Sequence, residues 1–213
     1  PVPCDTTRPV RSQWADLRES AQLLTGQPAV QRFAAAMAAV NLLEVPALTV
    51  GVPVLVVQTL QKSDASLGLV QAVLSAGGIL GGVLAGTVFV RHPIRSGTGL
   101  LLALSGVCAA LGLTLQVSTL QFGSILVLGA VFMGMAVLFN VWFFAQLQML
   151  VPQAQLGKTT ACISVLACLT QPIGQAAYGS AFQHWAAHPA DVLLAAGVLS
   201  ALVLWLLQTR RTA

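Results

Sequence analysis

The chain has 213 residues, of which 8% are charged and 56% are hydrophobic. An average soluble domain carries roughly 25% charged residues, so this chain has too few polar groups to cover a water-exposed surface. The formal net charge of +4 does not point to nucleic acid, because the basic residues lie singly between apolar runs and form no patch. The composition therefore excludes a soluble globular domain and indicates an integral membrane protein.

Six apolar runs are long enough to cross the hydrocarbon core as helices, which takes about 20 residues. The connections between them are short and rich in polar or helix-breaking residues, so neighbouring helices are expected to run antiparallel. We predict an all-α integral membrane fold with a leading segment over 1–29 and a transmembrane bundle over 30–213. The predicted spans are 30–60, 67–90, 98–117, 122–150, 161–182 and 190–207.

The leading segment differs in character from the rest of the chain. Trp14, Leu17, Ala21 and Leu24 recur there at helical spacing among polar neighbours, which predicts an amphipathic helix. Such a helix either lies at the membrane surface or acts as a linker without lipid contact, and the sequence favours neither.

Lysine and arginine fall almost entirely on one side of the predicted topology. Only Lys62 lies in an odd-numbered connection. Because cytoplasmic loops are enriched in basic residues, both ends of this segment are predicted to be cytoplasmic. The nine residues on that side are Arg8, Arg11, Arg18, Arg32, Arg91, Arg95, Lys158, Arg210 and Arg211.

Polar residues are distributed among the spans in an order that repeats. The first and fourth spans hold amides or a carboxyl near their middle, and the second and fifth are rich in glycine or proline. The third and sixth hold little beyond single serines and threonines. Helices that line a wet cavity tolerate polar groups, whereas lipid-facing helices need none. The order cavity, packing, lipid occurs twice, which is typical of two inverted three-helix repeats in secondary transporters.

Glu44 is the strongest single candidate for a functional residue. It lies near the middle of the first span, where an ionised carboxylate is costly and acids usually serve function. Asn41 lies three residues earlier on the same predicted face and is expected to hydrogen-bond it. Pro46 and Pro53 are expected to bend this helix and to free backbone carbonyls toward a cavity. We predict that Glu44 couples transport to protons; the alternative is a permanently neutral carboxyl that joins two helices.

Further polar and aromatic residues are candidates for lining a substrate cavity. Asn140 shares a face of the fourth span with Phe144, and Gln171 and Gln175 lie on a polar stripe of the fifth span. Together with Asn41, they offer a mixed amide and aromatic surface suited to amphipathic molecules. The alternatives are core packing for the aromatic ring and interhelical hydrogen bonding for the glutamines.

The second span contains a glycine pattern that predicts close helix packing. Gly78, Gly82 and Gly86 lie on one face, and Gly77 and Gly81 lie on another. Without side chains at the contact, two helix backbones approach closely and van der Waals packing stabilises the pair.

No metal, cofactor or enzymatic centre is predicted. His184 and His188 are four residues apart but have no third ligand other than Asp191, which makes a metal site a weak alternative. The four cysteines include no CxxC pair. The predicted cytoplasmic loops contain no serine–histidine pair, carboxylate pair or phosphate-binding glycine loop, so the chain is not expected to be an enzyme.

Two stretches of the sequence resemble a known transporter family. LFNVWFFAQLQMLVPQAQLGKTTACISVLACLTQPIGQAAYG over 138–179 is similar to the tenth helix, cytoplasmic loop and eleventh helix of major facilitator superfamily exporters. Among these exporters, it resembles the bacterial macrolide-efflux and siderophore-export permeases. WADLRESAQLLTGQPAVQRF over 14–33 resembles the segment that enters their seventh helix. The resemblance covers nearly the whole chain and implies the C-terminal six-helix half of a twelve-helix fold in the cell (inner) membrane.

The loop between the second and third spans departs from the superfamily's gating motif. That motif has glycine, three residues, aspartate, a basic residue, then glycine and further basic residues. Gly86, Arg91 and Arg95 fit it, but Val90 replaces the aspartate and Pro93 the second glycine. We therefore expect the arginines to contact helix ends or anionic lipid, without a charge-relay latch.

The resemblance implies a secondary active transporter that exports small amphipathic or hydrophobic compounds by alternating access, in the manner of drug-resistance antiporters. Protonation of Glu44 would bias which side of the transporter is open. The expected partners are the lipid bilayer, protons, a small-molecule substrate and an N-terminal six-helix half in the same longer chain. The alternative is a non-transporting membrane assembly or regulatory protein built on the same helix bundle.

Overall fold

The computed structural model describes residues 28–91, 97–117 and 121–209, and these contain six long helices and no strand. All six helices are long and apolar enough to cross a membrane, which confirms the predicted all-α, multi-pass membrane protein. The predicted amphipathic helix before residue 28 lies outside the described residues. The helices are α1 Pro28–Thr59, α2 Asp64–Arg91, α3 Gly97–Thr114, α4 Gln121–Leu150, α5 Gln153–His184 and α6 Pro189–Thr209.

The fifth helix begins eight residues earlier than predicted. Only Val151 and Pro152 separate α4 from α5, and Pro152 has an extended ψ of 142° that ends one helix and starts the next. An apolar run marks only the part of a helix that lies in hydrocarbon. The backbone hydrogen bonds of a helix do not depend on apolar side chains, so α5 includes the polar turns around Lys158 that were predicted as a loop.

α1 is irregular at two places, each beside one of its prolines. A π-helical segment, Val40–Glu44, precedes Pro46, and a second one, Val54–Thr59, follows Pro53. Proline has no N–H group, so a carbonyl one turn earlier loses its hydrogen bond. Single π turns inside α-helices are found mostly at functional sites, and one of these two ends at Glu44.

The predicted close packing of the glycine-rich α2 is confirmed on one of its two glycine faces. A β-carbon at Gly77 would overlap the backbone of Ala130 in α4, and one at Gly81 would overlap the backbone of Gly134. Since both pairs advance in the same direction, α2 and α4 run parallel. Gly86 has nothing within 4 Å of an added β-carbon, so it takes no part in this contact.

A second close crossing joins α5 to α1. Gly174 lies against the carbonyl of Leu42 and the ring of Pro46, and a β-carbon there would overlap both. The carbonyl of Leu42 has no α-helical hydrogen-bond donor, because the nitrogen of Pro46, four residues later, carries no hydrogen. Gly174 thus allows α5 to approach α1 closely at this carbonyl. That a freed carbonyl opens toward a cavity stays a prediction.

The third close pair consists of α3 and α6. A β-carbon at Gly112 would meet the backbone of Leu194, and one at Gly197 would meet the backbone of Ala109. Residue numbers rise in one helix as they fall in the other, so this pair runs antiparallel. α3 also packs against α4, and α1 also packs against α6.

The helix ends that lie together are those expected when each helix runs antiparallel to the one before it. The start of α1 at Phe33 and the start of α3 at Gly97 meet the end of α4 at Trp142. At the opposite end of the bundle, the end of α1 at Thr59 meets the start of α4 at Gln121. Both ends of the described chain thus lie on one side, and the assignment of that side to the cytoplasm stays a prediction from the basic residues.

Candidate functional site

Glu44 lies inside the six-helix bundle, with none of its surface exposed. Ser105 of α3 donates a hydrogen bond to its Oε1 atom. Ser200 of α6 in turn donates to the Oγ atom of Ser105 at 3.0 Å. We call these three residues the Glu44 cluster. Because α3 and α6 cover the carboxyl group, Glu44 does not lie on a face open to a second half of a transporter.

The Glu44 cluster contains more hydrogen-bond acceptors than hydrogens. Ser105 Oγ also lies 3.1 Å from the carbonyl of Leu101, and Ser200 Oγ lies 3.1 Å from that of Gly197. Each hydroxyl has only one hydrogen to donate. The Oε2 atom of Glu44 has no hydrogen-bond partner among the described residues. The cluster is therefore a buried, oxygen-rich site in which one carboxyl oxygen has no partner.

Two neutral titratable groups lie near the Glu44 cluster. Cys108 follows Ser105 by one turn of α3, and its thiol donates to the carbonyl of Leu193 at 3.7 Å. Tyr178 of α5 is half-buried, and both side chains interact electrostatically with Glu44. A thiol or a phenol carries no positive charge in any protonation state. Neither group therefore supplies a positive charge that would balance the carboxylate of Glu44.

Asn41 does not hydrogen-bond Glu44. Its Nδ2 atom donates to the carbonyl of Met37 at 3.0 Å and lies 3.3 Å from the sulfur of the same residue. Both Asn41 and Glu44 belong to the π-helical segment, which has more residues in each turn than an α-helix. Residues three apart are consequently displaced from a common face, and the predicted hydrogen bond is wrong for this reason.

The other predicted cavity residues lie at or near the outer surface of the bundle. Asn140 is exposed, and its amide donates to the carbonyl of Ala136 in the same helix at 2.9 Å. Phe144 is half-buried and meets Phe143 edge-on, with ring centroids 5.4 Å apart. Gln171 and Gln175 are half-buried on α5. Their common role in a substrate cavity stays a prediction.

Two of the three residues predicted for a gating loop, Gly86 and Arg91, belong to the described residues. Gly86 is exposed, and Arg91 is the last residue of α2. Arg95 lies outside the described residues. Their function in gating stays a prediction.

Aromatic side chains fix one end of the bundle. Phe33 of α1 stacks on Trp142 of α4 with ring centroids 5.8 Å apart and lies 5.5 Å from the ring of Phe143. A β-carbon at Gly97 would overlap the Trp142 ring, so α3 begins directly against it. Trp142 therefore joins the ends of three helices and is only 8% exposed.

α5 is the least buried of the six spans and also the least apolar. Only 11% of the residues in its most apolar stretch are buried, against 50% in the corresponding stretch of α1. Ser164 and Cys168 are exposed on it, and half-buried Gln171 and Gln175 continue the same stripe. Val165, Leu169 and Ile173 are also exposed on this helix, so its outer face combines small polar and large apolar side chains.

An apolar groove of about 690 Å³ lies between α1, α5 and α6. Leu42, Gly174 and Tyr178 line its deeper part, and Trp185 and Asp191 line it toward the connection between α5 and α6. Aromatic residues are enriched at membrane–water interfaces. The groove thus combines an apolar wall with polar atoms near one end.

Ser105 and Ser200 are not among the residues predicted from the sequence. Single serines are common in membrane spans because their hydroxyls bond to the carbonyl of the preceding turn, so neither stands out. A usable signal is their depth, since each lies near the middle of its helix, as Glu44 does in α1. Only the tertiary structure shows that all three meet.

The described residues contain no group of three or more His, Cys, Asp or Glu side chains that could hold a metal ion. His184 is exposed, and its Nδ1 atom lies 2.9 Å from the carbonyl of Ser180. No known protein family matches the chain, and no curated protein or solved structure does so either.

Proposed function

We propose that this chain is one six-helix half of a secondary transporter of the major facilitator type, with α1–α3 and α4–α6 as inverted repeats. The carrying observation is the pattern of helix pairing. Exchanging α1 with α4, α2 with α5 and α3 with α6 turns the α2–α4 pair into the α5–α1 pair and leaves α3–α6 unchanged. The same exchange relates α3–α4 to α6–α1. Inverted repeats of this kind build many secondary transporters.

The glycine contacts support the same relationship. Gly81 brings α2 against α4 in a parallel crossing, and Gly174 brings α5 against α1. α1 and α5 also run parallel, since Gly51 lies against Phe182 further along both helices. The two crossings thus have the same direction and the same use of a glycine, as a repeated unit requires.

The outer face of α5 supports the presence of a second half. This exposed face carries Ser164 and Cys168 beside apolar side chains and is not covered within the described part of this chain. A second six-helix half, with an aqueous cavity between the two, would satisfy these groups. The substrates would be small amphipathic or hydrophobic compounds that contact Asn41, Asn140, Phe144, Gln171 and Gln175.

Glu44 is the proposed coupling residue. A protonated carboxyl is neutral and donates within the Glu44 cluster, whereas an ionised one leaves a buried charge that only neutral serine hydroxyls solvate within the cluster. That difference changes the relative stability of two arrangements of α1 against α3 and α6. Protonation from one side and release to the other would then drive export. The resemblance to bacterial exporters implies the cell membrane, and the distribution of basic residues favours both ends of this segment in the cytoplasm.

The test is transport by the product of the complete reading frame in proteoliposomes. A panel of amphipathic compounds is added under an imposed pH gradient, and substrate movement and internal pH are followed together. We expect substrate-dependent proton movement that Glu44→Gln abolishes and Asp191→Asn, an exposed carboxyl at a helix start, retains. A well-folded protein that moves no protons with any compound would instead indicate the non-transporting assembly or regulatory role.

A further inference from the structure

We propose that the Glu44 cluster is a binding site for a monovalent alkali cation, with Na⁺ competing with the proton for the carboxyl group. Its oxygen atoms are the carboxylate of Glu44, the hydroxyls of Ser105 and Ser200, and the carbonyls of Leu101 and Gly197. The inference extends the proposed function by naming a second coupling ion. Binding itself is measurable without any transport.

One unsatisfied oxygen atom carries the argument. Glu44 is completely buried, and its Oε2 atom has no partner in the described part of the chain. The carbonyls of Leu101 and Gly197 already accept backbone N–H groups within their own helices, so Oε2 is the oxygen that needs a partner. A cation placed among the oxygens of the cluster would ligate several of them at once and neutralise the buried charge, which a hydrogen bond from serine does not.

The chemistry of the oxygens selects a hard monovalent ion. Carboxylate, hydroxyl and carbonyl oxygens are ligands for hard cations, and no nitrogen or sulfur belongs to the cluster. Ca²⁺ and Mg²⁺ would leave a net positive charge beside a single carboxylate in the middle of the membrane, which is costly. The hydroxyl oxygens of Ser105 and Ser200 lie within hydrogen-bond distance, 3.0 Å apart, so an ion must separate them to bind, and the smaller Na⁺ requires less displacement than K⁺.

The surroundings leave Glu44 as the only acid in the cluster. Titratable groups that face it come from α3, as Cys108, and from α5, as Tyr178. α6 contributes the hydroxyl of Ser200, and its acid Asp191 lies at the far end, bonded to Gln116 at 3.1 Å. A proton and a cation therefore compete for one carboxyl group, and binding of either one displaces the other.

The experiment measures thermal unfolding of the purified protein in detergent, in NaCl, KCl or choline chloride at equal ionic strength. We expect Na⁺ alone to raise the unfolding temperature at pH 8, and we expect this effect to saturate as the Na⁺ concentration increases. The Na⁺ concentration that gives half of the effect should increase about tenfold for each unit by which the pH is lowered. Equal unfolding temperatures in the three salts, or a sodium effect independent of pH, would overturn the proposal.

Variants locate the ion. Glu44→Gln should abolish the sodium effect, and Ser105→Ala or Ser200→Ala should raise the half-saturating concentration about tenfold or more, because a lost ligand costs about 1.5 kcal/mol or more. The matched control is Ser124→Ala, whose hydroxyl bonds only to the carbonyl of Gln121 in its own helix. A sodium effect that survives in Glu44→Gln would place the ion elsewhere and contradict the assignment. If a cluster variant does not fold, the salt and pH dependence of the wild type decides alone. Absence of transport in proteoliposomes would refute coupling but not binding.

Discussion

The hydroxyl group of Ser200 in α6 donates a hydrogen bond of 3.0 Å to the Oγ atom of Ser105 in α3. Ser105 in turn donates a hydrogen bond to the carboxyl group of Glu44 in α1. Two serines on helices that contain almost no other polar side chains thus hold the acid in the middle of the bundle.

Removing the first of these hydroxyls should destabilise the protein measurably. Ser105→Ala removes the hydroxyl that donates to Oε1 of Glu44, and a buried acceptor that loses its partner costs about 1–3 kcal/mol. We expect this loss in the free energy of unfolding in mixed micelles, and we expect Ser105→Thr to recover most of it. Ser124→Ala is the control and should change the free energy by less than about 0.5 kcal/mol. Equal losses in the two alanine variants would show that Ser105 does not stabilise Glu44.

The crossing of α2 and α4 predicts unequal effects for two glycines in one helix. Gly81→Ala should destabilise the protein by about 1–3 kcal/mol, because its β-carbon overlaps the backbone of Gly134 and the helices must separate. Gly86→Ala has open space around its β-carbon and should be neutral or slightly stabilising, since alanine favours the helix. Thermal unfolding of both variants in the same detergent measures the difference. If Gly86→Ala is the more damaging change, the crossing is placed wrongly.

The corresponding crossing of α5 and α1 should respond in the same way. Gly174→Ala introduces a β-carbon that overlaps the carbonyl of Leu42 and the ring of Pro46, so a loss of about 1–3 kcal/mol is expected. Gly179→Ala lies on the same helix with nothing within 4 Å and serves as the control. Losses of similar size at Gly81 and Gly174 would support the proposed repeat. A harmless Gly174→Ala would contradict the close approach at Leu42.

Thiol labelling distinguishes water from lipid at the outer face of α5. Cys168 is exposed there, whereas Cys108 is buried beside the Glu44 cluster. Only a thiolate reacts, and it forms in water but not in hydrocarbon. In single-cysteine variants we expect a charged maleimide to modify Cys168 but not Cys108, and bound substrate to slow the reaction. Failure of the charged maleimide to modify Cys168 in the folded protein, with modification only after denaturation, would show that this face meets lipid.

Local features of the sequence were sufficient to predict the six spans. An apolar run of about 20 residues must span the membrane as a helix, because its backbone groups have no other partners in hydrocarbon. This rule does not find the true start of α5, since the helix continues into polar residues after Pro152. It does find the irregularity of α1, because prolines interrupt the hydrogen bonds of any helix.

The candidate site was predictable only in part. Glu44 stands out by its chemistry alone, as a carboxyl at the middle of an apolar helix. The predicted hydrogen bond from Asn41 is wrong, because the π turn moves the two side chains apart. An i, i+3 pattern assumes an α-helix. The real partners of Glu44 are 61 and 156 positions away along the chain, at Ser105 and Ser200. Spacing within one helix does not report contacts over such distances.

The sequence by itself determined that this protein lies in a membrane, how many times it crosses, and that an acid lies at the middle of the first helix. These properties follow from transfer of side chains and backbone into hydrocarbon, which depends on each segment separately. The tertiary structure decided which helices pair and that Glu44 is enclosed by α3 and α6. Those contacts depend on how closely backbones approach at Gly81, Gly112, Gly174 and Gly197, and that is a property of two helices together.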